Sequence, residues 1–230
     1  MNKNDPPVRI AIDGPAASGK STTARLVAQA LGFLYVDTGA MYRAVTLAVL
    51  EKNIDPGDGE AISRLAKDLN INLVLKDHET RTHMNGRDVS DEIRLPAVTA
   101  VISRISSHPG LRRIMVEKQR QLAAKGNVVM EGRDIGTVVI PDAEIKIFMQ
   151  ASLDERAQRR LEELKAKGVE ISLAQIRTDI RRRDDSDASR SDSPLKAAAD
   201  AVVLDTSRLT IVEQVDVVLR LFRSRFSAEK

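Results

Sequence analysis

A chain of 230 residues suits one medium domain, or a core with a small insertion. It has no cysteine, which excludes disulfides, thiolate metal sites and cysteine nucleophiles, and no tryptophan to serve as a base-stacking platform. A net charge of +3 is too small to argue for nucleic acid. The polar first residues and the lack of any run near the ~18 apolar residues of a membrane helix lead us to expect a soluble cytoplasmic protein.

The first predicted element is a short apolar strand, Val8–Asp13, stopped by Gly14-Pro15. A helix is predicted over Lys20–Gly32, with Leu26, Val27, Ala30 and Leu31 on one side. Phe33–Val36 reads as a second buried strand and Ala40–Lys52 as a helix, so the chain opens as an α/β layered domain. Residues 71–90 break that rhythm. Ile71–Lys76 and Thr80–Met84 are strand-like, Asn85-Gly86 is a hairpin turn signal, and a helix is expected from Ile93 to Ser106. A small antiparallel β unit is thus expected as an insertion at about 66–106, between core segments 1–65 and 107–230. Asn127–Glu131, Glu144–Met149 and Ala201–Asp205 read as three further buried parallel strands. Helices are expected near 109–125, 152–167, 172–183 and 210–226, and Asp184–Pro194 as a loop. The fold class is therefore α/β: a three-layer α/β/α core on a five-stranded parallel sheet, with the inserted β unit and a helical lid at about 156–194.

Gly14, Pro15, Ala16, Ala17, Ser18, Gly19, Lys20, Ser21 and Thr22 fit the phosphate-loop pattern Gly-x-x-x-x-Gly-Lys-[Ser/Thr]. The pattern needs a strand before it and a helix after it, and both are predicted. Small residues leave room for phosphates, and backbone N–H groups and the helix N-terminus face them. Lys20 reaches the β- and γ-phosphates, and the Ser21 hydroxyl ligates Mg²⁺.

The loop does not say where the terminal phosphate goes. A switch GTPase would carry an Asn-Lys-x-Asp reader late in the chain, whereas Asn2-Lys3-Asn4-Asp5 precedes the first strand. A motor ATPase would end an apolar run in Asp-Glu, whereas Val128-Val129-Met130-Glu131-Gly132 ends in one acid. A kinase of a small phosphorylated acceptor needs a second anion site, which arginine suits because its planar fork binds phosphate bidentately. Arg43 lies beyond the second strand and Arg133 just after the third, on the sheet edge where open α/β sheets bind ligands.

Three further motifs follow in order: Asp37-Thr38-Gly39-Ala40-Met41-Tyr42-Arg43, Gly132-Arg133-Asp134-Ile135-Gly136-Thr137 and Arg183-Asp184-Asp185-Ser186-Asp187. With the phosphate loop they resemble the bacterial cytidylate kinase family of P-loop nucleoside monophosphate kinases, from about Val8 to Phe226. The resemblance implies transfer of the γ-phosphate of ATP to CMP or dCMP, with Mg²⁺, no nucleic-acid or membrane partner, and a monomer. It further implies that Arg43, Arg133 and Arg190 hold the CMP phosphate, and that Arg183 and Asp187 meet its sugar and phosphate region from the lid. Ser103, Arg112 and Asp134 would read cytosine, while Thr38 and Tyr42 would line the acceptor pocket. Lys20, Arg133, Arg183 and Arg190 would be the catalytic cations. Of Arg156, Arg159 and Arg160 at the start of the lid helix, Arg159 is taken to add to ATP binding, with helix-face pairing to Glu155, Glu162 or Glu163 an equal reading. Thr38 stands where many members have Ser, Glu131 where Asp is frequent, and Ser21 where many have Gly. Read without the resemblance, Asp37 is equally a helix cap, and Ser103 and Arg112 are equally ordinary helix-surface residues. Two other readings stay open: a P-loop kinase of another small acceptor such as UMP or a metabolite, and a P-loop ATPase or GTPase switch.

Overall fold

A computed structural model describes residues 6–76, 79–166, 168–190 and 192–226. The chain divides into two compact units: Met1–Leu34 with Asn127–Lys230, and Tyr35–Gly126.

The first unit carries most of a five-stranded sheet. Its strands are β1 (Arg9–Asp13), β2 (Leu34–Asp37, where the division falls), β6 (Val128–Gly132), β7 (Ile145–Gln150) and β8 (Val202–Asp205), in the order β2-β6-β1-β7-β8. The pairings of β1 with β6 and β7, and of β7 with β8, are parallel. β1 and β6 are central and lie covered on both faces, which is why they read as unbroken apolar runs. β8 is an edge strand with only Leu204 buried. Ile10, Ile12, Met130, Ile147 and Met149 form the fully buried floor of the sheet.

Helix α1 (Lys20–Leu31) returns from β1 and buries Thr23, Ala24, Val27 and Ala28. It stops at Gly32, whose φ of 67° lets its N–H turn back to the carbonyls of Ala28 and Gln29. Helices α6 (Leu153–Ala166) and α7 (Leu173–Ala188) pair around a small separate core of Ala157, Ile176 and Ile180. Helix α8 (Ile211–Phe226) packs on α1.

The second unit contains α2 (Thr38–Glu51), α3 (Gly59–Asp68), α4 (Pro96–Ser106) and α5 (Pro109–Ala123), and a separate antiparallel sheet β3-β4-β5. Strands β3 (Ile71–Lys76), β4 (Glu79–Met84) and β5 (Arg87–Asp88) are in register through Ile71 opposite Met84 and Met84 opposite Arg87. Asn85 and Gly86 have φ of 50° and 85°, the pair of positive values a type I′ turn requires.

Strand ends agree with the sequence expectation to about one residue, and three other features differ. The helix expected over Ile93–Ser106 is broken into a 3-10 turn (Glu92–Arg94) and α4. Pro96 forces this, because it holds the preceding Leu95 in an extended conformation, ψ 150°. Helix α3 was not foreseen. Helix α7 runs five residues past the expected end at 183, to Ala188, so the first half of Asp184–Pro194 is not a loop. Asp184 and Asp187 are gripped there by arginines from other elements, which offsets the poor helix propensity of an Asp/Ser cluster. The Asn2–Asp5 match and His78 lie outside the described residues. Among the described residues no helix is long and apolar enough to cross a membrane.

Candidate active site

The phosphate loop leaves the carboxyl end of β1 and enters α1 at Lys20. Its glycines are dictated by space. A Cβ on Gly14 would sit 2.3 Å from the Met149 carbonyl oxygen, and one on Gly19 (φ 92°) would sit 2.7 Å from Gln214 Oε1. The Thr23 hydroxyl also donates to Gln214 Oε1, at 2.9 Å, so α8 braces the first turn of α1. Ala17 takes φ 60° and packs against the α6–α7 core. The buried Ser18 Oγ makes no hydrogen bond with the described residues.

Lys20 Nζ donates to the Pro15 carbonyl at 3.2 Å and lies 3.8 Å from Glu131 Oε2, with both side chains nearly covered. Ser21 Oγ donates to Glu131 Oε1 at 2.7 Å. Glu131, near the end of β6, thus meets two successive residues of the phosphate-loop helix. A hydroxyl and a carboxylate are hard oxygen donors, which suits a Mg²⁺ that keeps most of its shell from phosphates and water. Among the described residues no group of three or more His, Cys, Asp or Glu could hold a metal alone. That donor set fits a cation that arrives with nucleotide.

Beyond β6, the Gly132–Thr137 motif becomes a short π-helix (Ile135–Val139). Asp13 closes β1 beside Gly132 in register, and its two oxygens accept from the Ile135 and Gly136 N–H groups, each at 2.8 Å. Burial pushes the Asp13 carboxyl up to about 7, against the two backbone hydrogen bonds that favour its charged form. No sequence motif marks Asp13 as a site residue. Its signal was an ionisable side chain ending an otherwise apolar buried strand.

Arg133 Nε donates to Asp187 Oδ2 at 2.7 Å, and Arg190 Nη2 meets Asp187 Oδ1 at 2.5 Å. Asp187 is 2% exposed. Burial alone would raise its pKa, but Arg133 and Arg190, helped by Arg183, outweigh that and hold the carboxyl below the usual range. Three of the arginines singled out in the sequence therefore converge on one α7 aspartate. Arg156, 7% exposed, links α7 to the phosphate loop: it pairs with Asp184 at 2.7 Å and donates to the carbonyls of Ala16 (3.2 Å) and Ala151 (3.0 Å). Arg159 donates to the Thr206 carbonyl at 2.6 Å, and the Thr206 hydroxyl donates to the Ser18 carbonyl at 2.9 Å. Thr206, fully buried, carried no motif that pointed to it.

In the second unit Asp37 caps α2, accepting from Ala40 N–H at 2.9 Å. Thr38 and Tyr42 follow on that helix, 4% and 8% exposed. The Arg112 guanidinium lies 5.7 Å from the centre of the Tyr42 ring and is buried, so it is not an ordinary surface residue. It also donates to the Ser106 carbonyl at 3.4 Å. Ser103 is half-buried on α4. Arg43 Nη1 donates to Thr99 Oγ1 at 3.0 Å and to the Ile93 carbonyl at 3.3 Å. Within this unit the fold brings Arg112 to Tyr42, and within the first it brings Arg133 to Asp187, which already has Arg190 three residues on.

Comparison with known proteins bears on the same span. The cytidylate kinase family profile matches residues 10–224. A cytidylate kinase of Carboxydothermus hydrogenoformans is 48% identical over 214 residues, covering 93% of this chain and 96% of that protein. One from Caldanaerobacter subterraneus subsp. tengcongensis is 49% identical over 222 residues, covering 96% and 97%. A solved structure of an uncharacterized protein from Eubacterium ventriosum has a TM-score of 0.53 at 12% identity, with 95% and 99% coverage, and so supports the fold alone. With the phosphate loop and the arginine cluster both inside a match that runs almost end to end, the chain belongs to the cytidylate kinase family.

Proposed function

We propose that this enzyme transfers the γ-phosphate of ATP to CMP or dCMP, giving ADP and CDP or dCDP. The observation that carries the reading is the set of arginines gathered around Asp187 in the unit that holds the phosphate loop. A hydrolytic switch has no use for a second anion site, whereas a nucleoside monophosphate acceptor brings its own phosphate.

In this reading residues 14–22 cradle the ATP phosphates, and Arg159 supports that side through Thr206. Ser21, with Glu131 behind it, would hold Mg²⁺, which supplies charge neutralisation on the ATP phosphates. Arg133 and Arg190 take the acceptor phosphate with Arg43, and Arg183 and Asp187 serve its sugar side. The acceptor phosphate oxygen is already an anion, so no strong general base is required. The protein works by positioning and by balancing charge with Lys20 and the lid arginines. Asp134 accepts from the exocyclic amine of cytosine, while Arg112 and Ser103 serve its acceptors, and Thr38 and Tyr42 line the pocket. Uracil presents a carbonyl to that acid, a mismatch of a few kcal/mol. Segment 66–106 is the monophosphate-binding insertion and about 156–194 the lid, whose closure excludes water. The enzyme acts as a cytoplasmic monomer.

The test is ADP formation from ATP·Mg²⁺ without acceptor and with CMP, dCMP, UMP and AMP. Turnover with the cytidine nucleotides, weak with UMP and near zero alone, is expected. Steady hydrolysis indifferent to every acceptor would overturn the proposal.

A further inference from the structure

Asp13 has no part in the chemistry above, yet it is a 5% exposed acid one residue before the phosphate loop. The first N–H groups of any helix lack partners within it. In the π-helix Ile135–Val139 that need is not met by Asp134, which stands at the capping position but makes no capping hydrogen bond with its side chain. It is met by Asp13, 122 residues away from Ile135 in the chain, with one oxygen on each of two successive N–H groups. A Cβ added to Gly136 would make only ordinary contact with Asp13 Oδ2, at 3.5 Å, and would press on the flexible Lys146 arm at 3.3 Å, so it is the two N–H bonds, not a lack of space, that tie this turn to Asp13. Asp13 itself cannot wander, because β1 is paired on both sides, to β6 and to β7. Two backbone N–H groups directly after Asp134 are therefore pinned to the strand that delivers Gly14. The carboxylate on the phosphate-loop strand thus sets the path of the backbone that presents Arg133 and Asp134.

We infer that Asp13 is a positioning residue for the acceptor: it holds the Arg133–Gly136 backbone so that Arg133 meets the CMP phosphate and Asp134 the base. The inference rests on the acceptor roles proposed for those two residues. A residue serving only the fold would change stability and leave acceptor recognition alone.

The experiment compares wild type with Asp13→Asn, Asp13→Glu and Asp134→Ala. Each is assayed for KM with CMP, KM with ATP, the CMP-over-UMP ratio of kcat/KM, and Tm. An amide at position 13 keeps one accepting oxygen and turns an NH₂ group toward the other backbone N–H. Losing one such bond to a charged group predicts an increase of about tenfold in the KM for CMP and a similar fall in the CMP-over-UMP ratio. The KM for ATP should stay within about twofold. Asp13→Glu, which keeps the carboxylate but lengthens its arm by one methylene against the same two N–H groups, should move the same two quantities by about threefold, and it decides the matter if Asp13→Asn does not fold. A lowered Tm with wild-type KM for CMP and wild-type base choice would overturn the inference. Asp134→Ala separates the two proposals. If it leaves base choice untouched, the base-reading role of Asp134 falls, and Asp13 is judged on the KM for CMP alone, through Arg133. If it relaxes base choice while the other two variants change neither quantity, the positioning role falls and the base-reading role stands.

Discussion

Two aspartates of the phosphate-loop unit, Asp13 at the end of β1 and Asp187 in α7, are 5% and 2% exposed, yet they titrate in opposite directions. Burial pushes both upward. Asp13 has two backbone N–H dipoles to answer it, and they do not suffice, so its carboxyl rises to about 7. Asp187 has the full charges of Arg133 and Arg190 within 2.7 Å and 2.5 Å, with Arg183 adding to them, and stays below the usual range. A whole opposite charge in a poorly solvated site outweighs a pair of dipoles. The first arrangement suits an anchor that fixes backbone, and the second suits a store of cations kept ordered for an anionic substrate.

The comparison breaks most completely at Arg133. Arg133→Ala leaves the buried Asp187 with a main counter-ion missing, which should lower stability by about 3 kcal/mol in a denaturant titration. Turnover with CMP should fall at least about a hundredfold in the same protein. An unchanged unfolding midpoint would mean that Arg190 and Arg183 balance Asp187 unaided.

The sign of each carboxyl can be read from pH. The folded pKa of Asp187 is depressed, so its stabilisation is present above the unfolded value of about 3.8 and is lost as pH falls through the folded value. Asp187→Asn should therefore flatten the loss of Tm at the acid end. Asp13 is the reverse. Its folded value of about 7 lies above its unfolded value of 3.8, so the folded state binds the extra proton between them. Its contribution to stability rises as pH falls from about 7 toward about 4. Asp13→Asn should lose that rise, seen as a smaller gain in Tm between pH 8 and pH 5 than wild type shows.

Gly19→Ala sharpens the contrast by touching neither carboxylate. It strains a φ of 92° and pushes on Gln214, and should cost about 1–2 kcal/mol with no new pH dependence in the unfolding curve. Arg182 marks the lower end. Its ion pair with Asp179 joins side chains 78% and 48% exposed, so Arg182→Ala should change stability by less than about 0.5 kcal/mol and leave turnover unchanged.

Several residues of the candidate site were visible in the chain because their signals are local. Gly14 to Thr22 form a contiguous pattern whose spacing reflects one backbone curve, and Asn85-Gly86 sits at the two positive φ values its hairpin needs. The break at Leu95-Pro96 has an equally local signal, a residue held extended before proline. Asp184 to Ala188 is a different case. Its composition favours a loop, and only ion pairs to Arg156 and Arg133 hold it as the last turn of α7.

The sequence by itself determined the strand–loop–helix that makes a phosphate cradle, the alternation of strands and helices that requires a parallel sheet, and the family. Each depends on residues adjacent in the chain or on motif order. Tertiary structure alone decided that Asp13 caps a helix 122 residues onward and that Arg133 meets an aspartate 54 residues away. Such contacts have no local signature, because pairing β1 with β6 and packing α7 are what bring those side chains together, and burial then sets their charge.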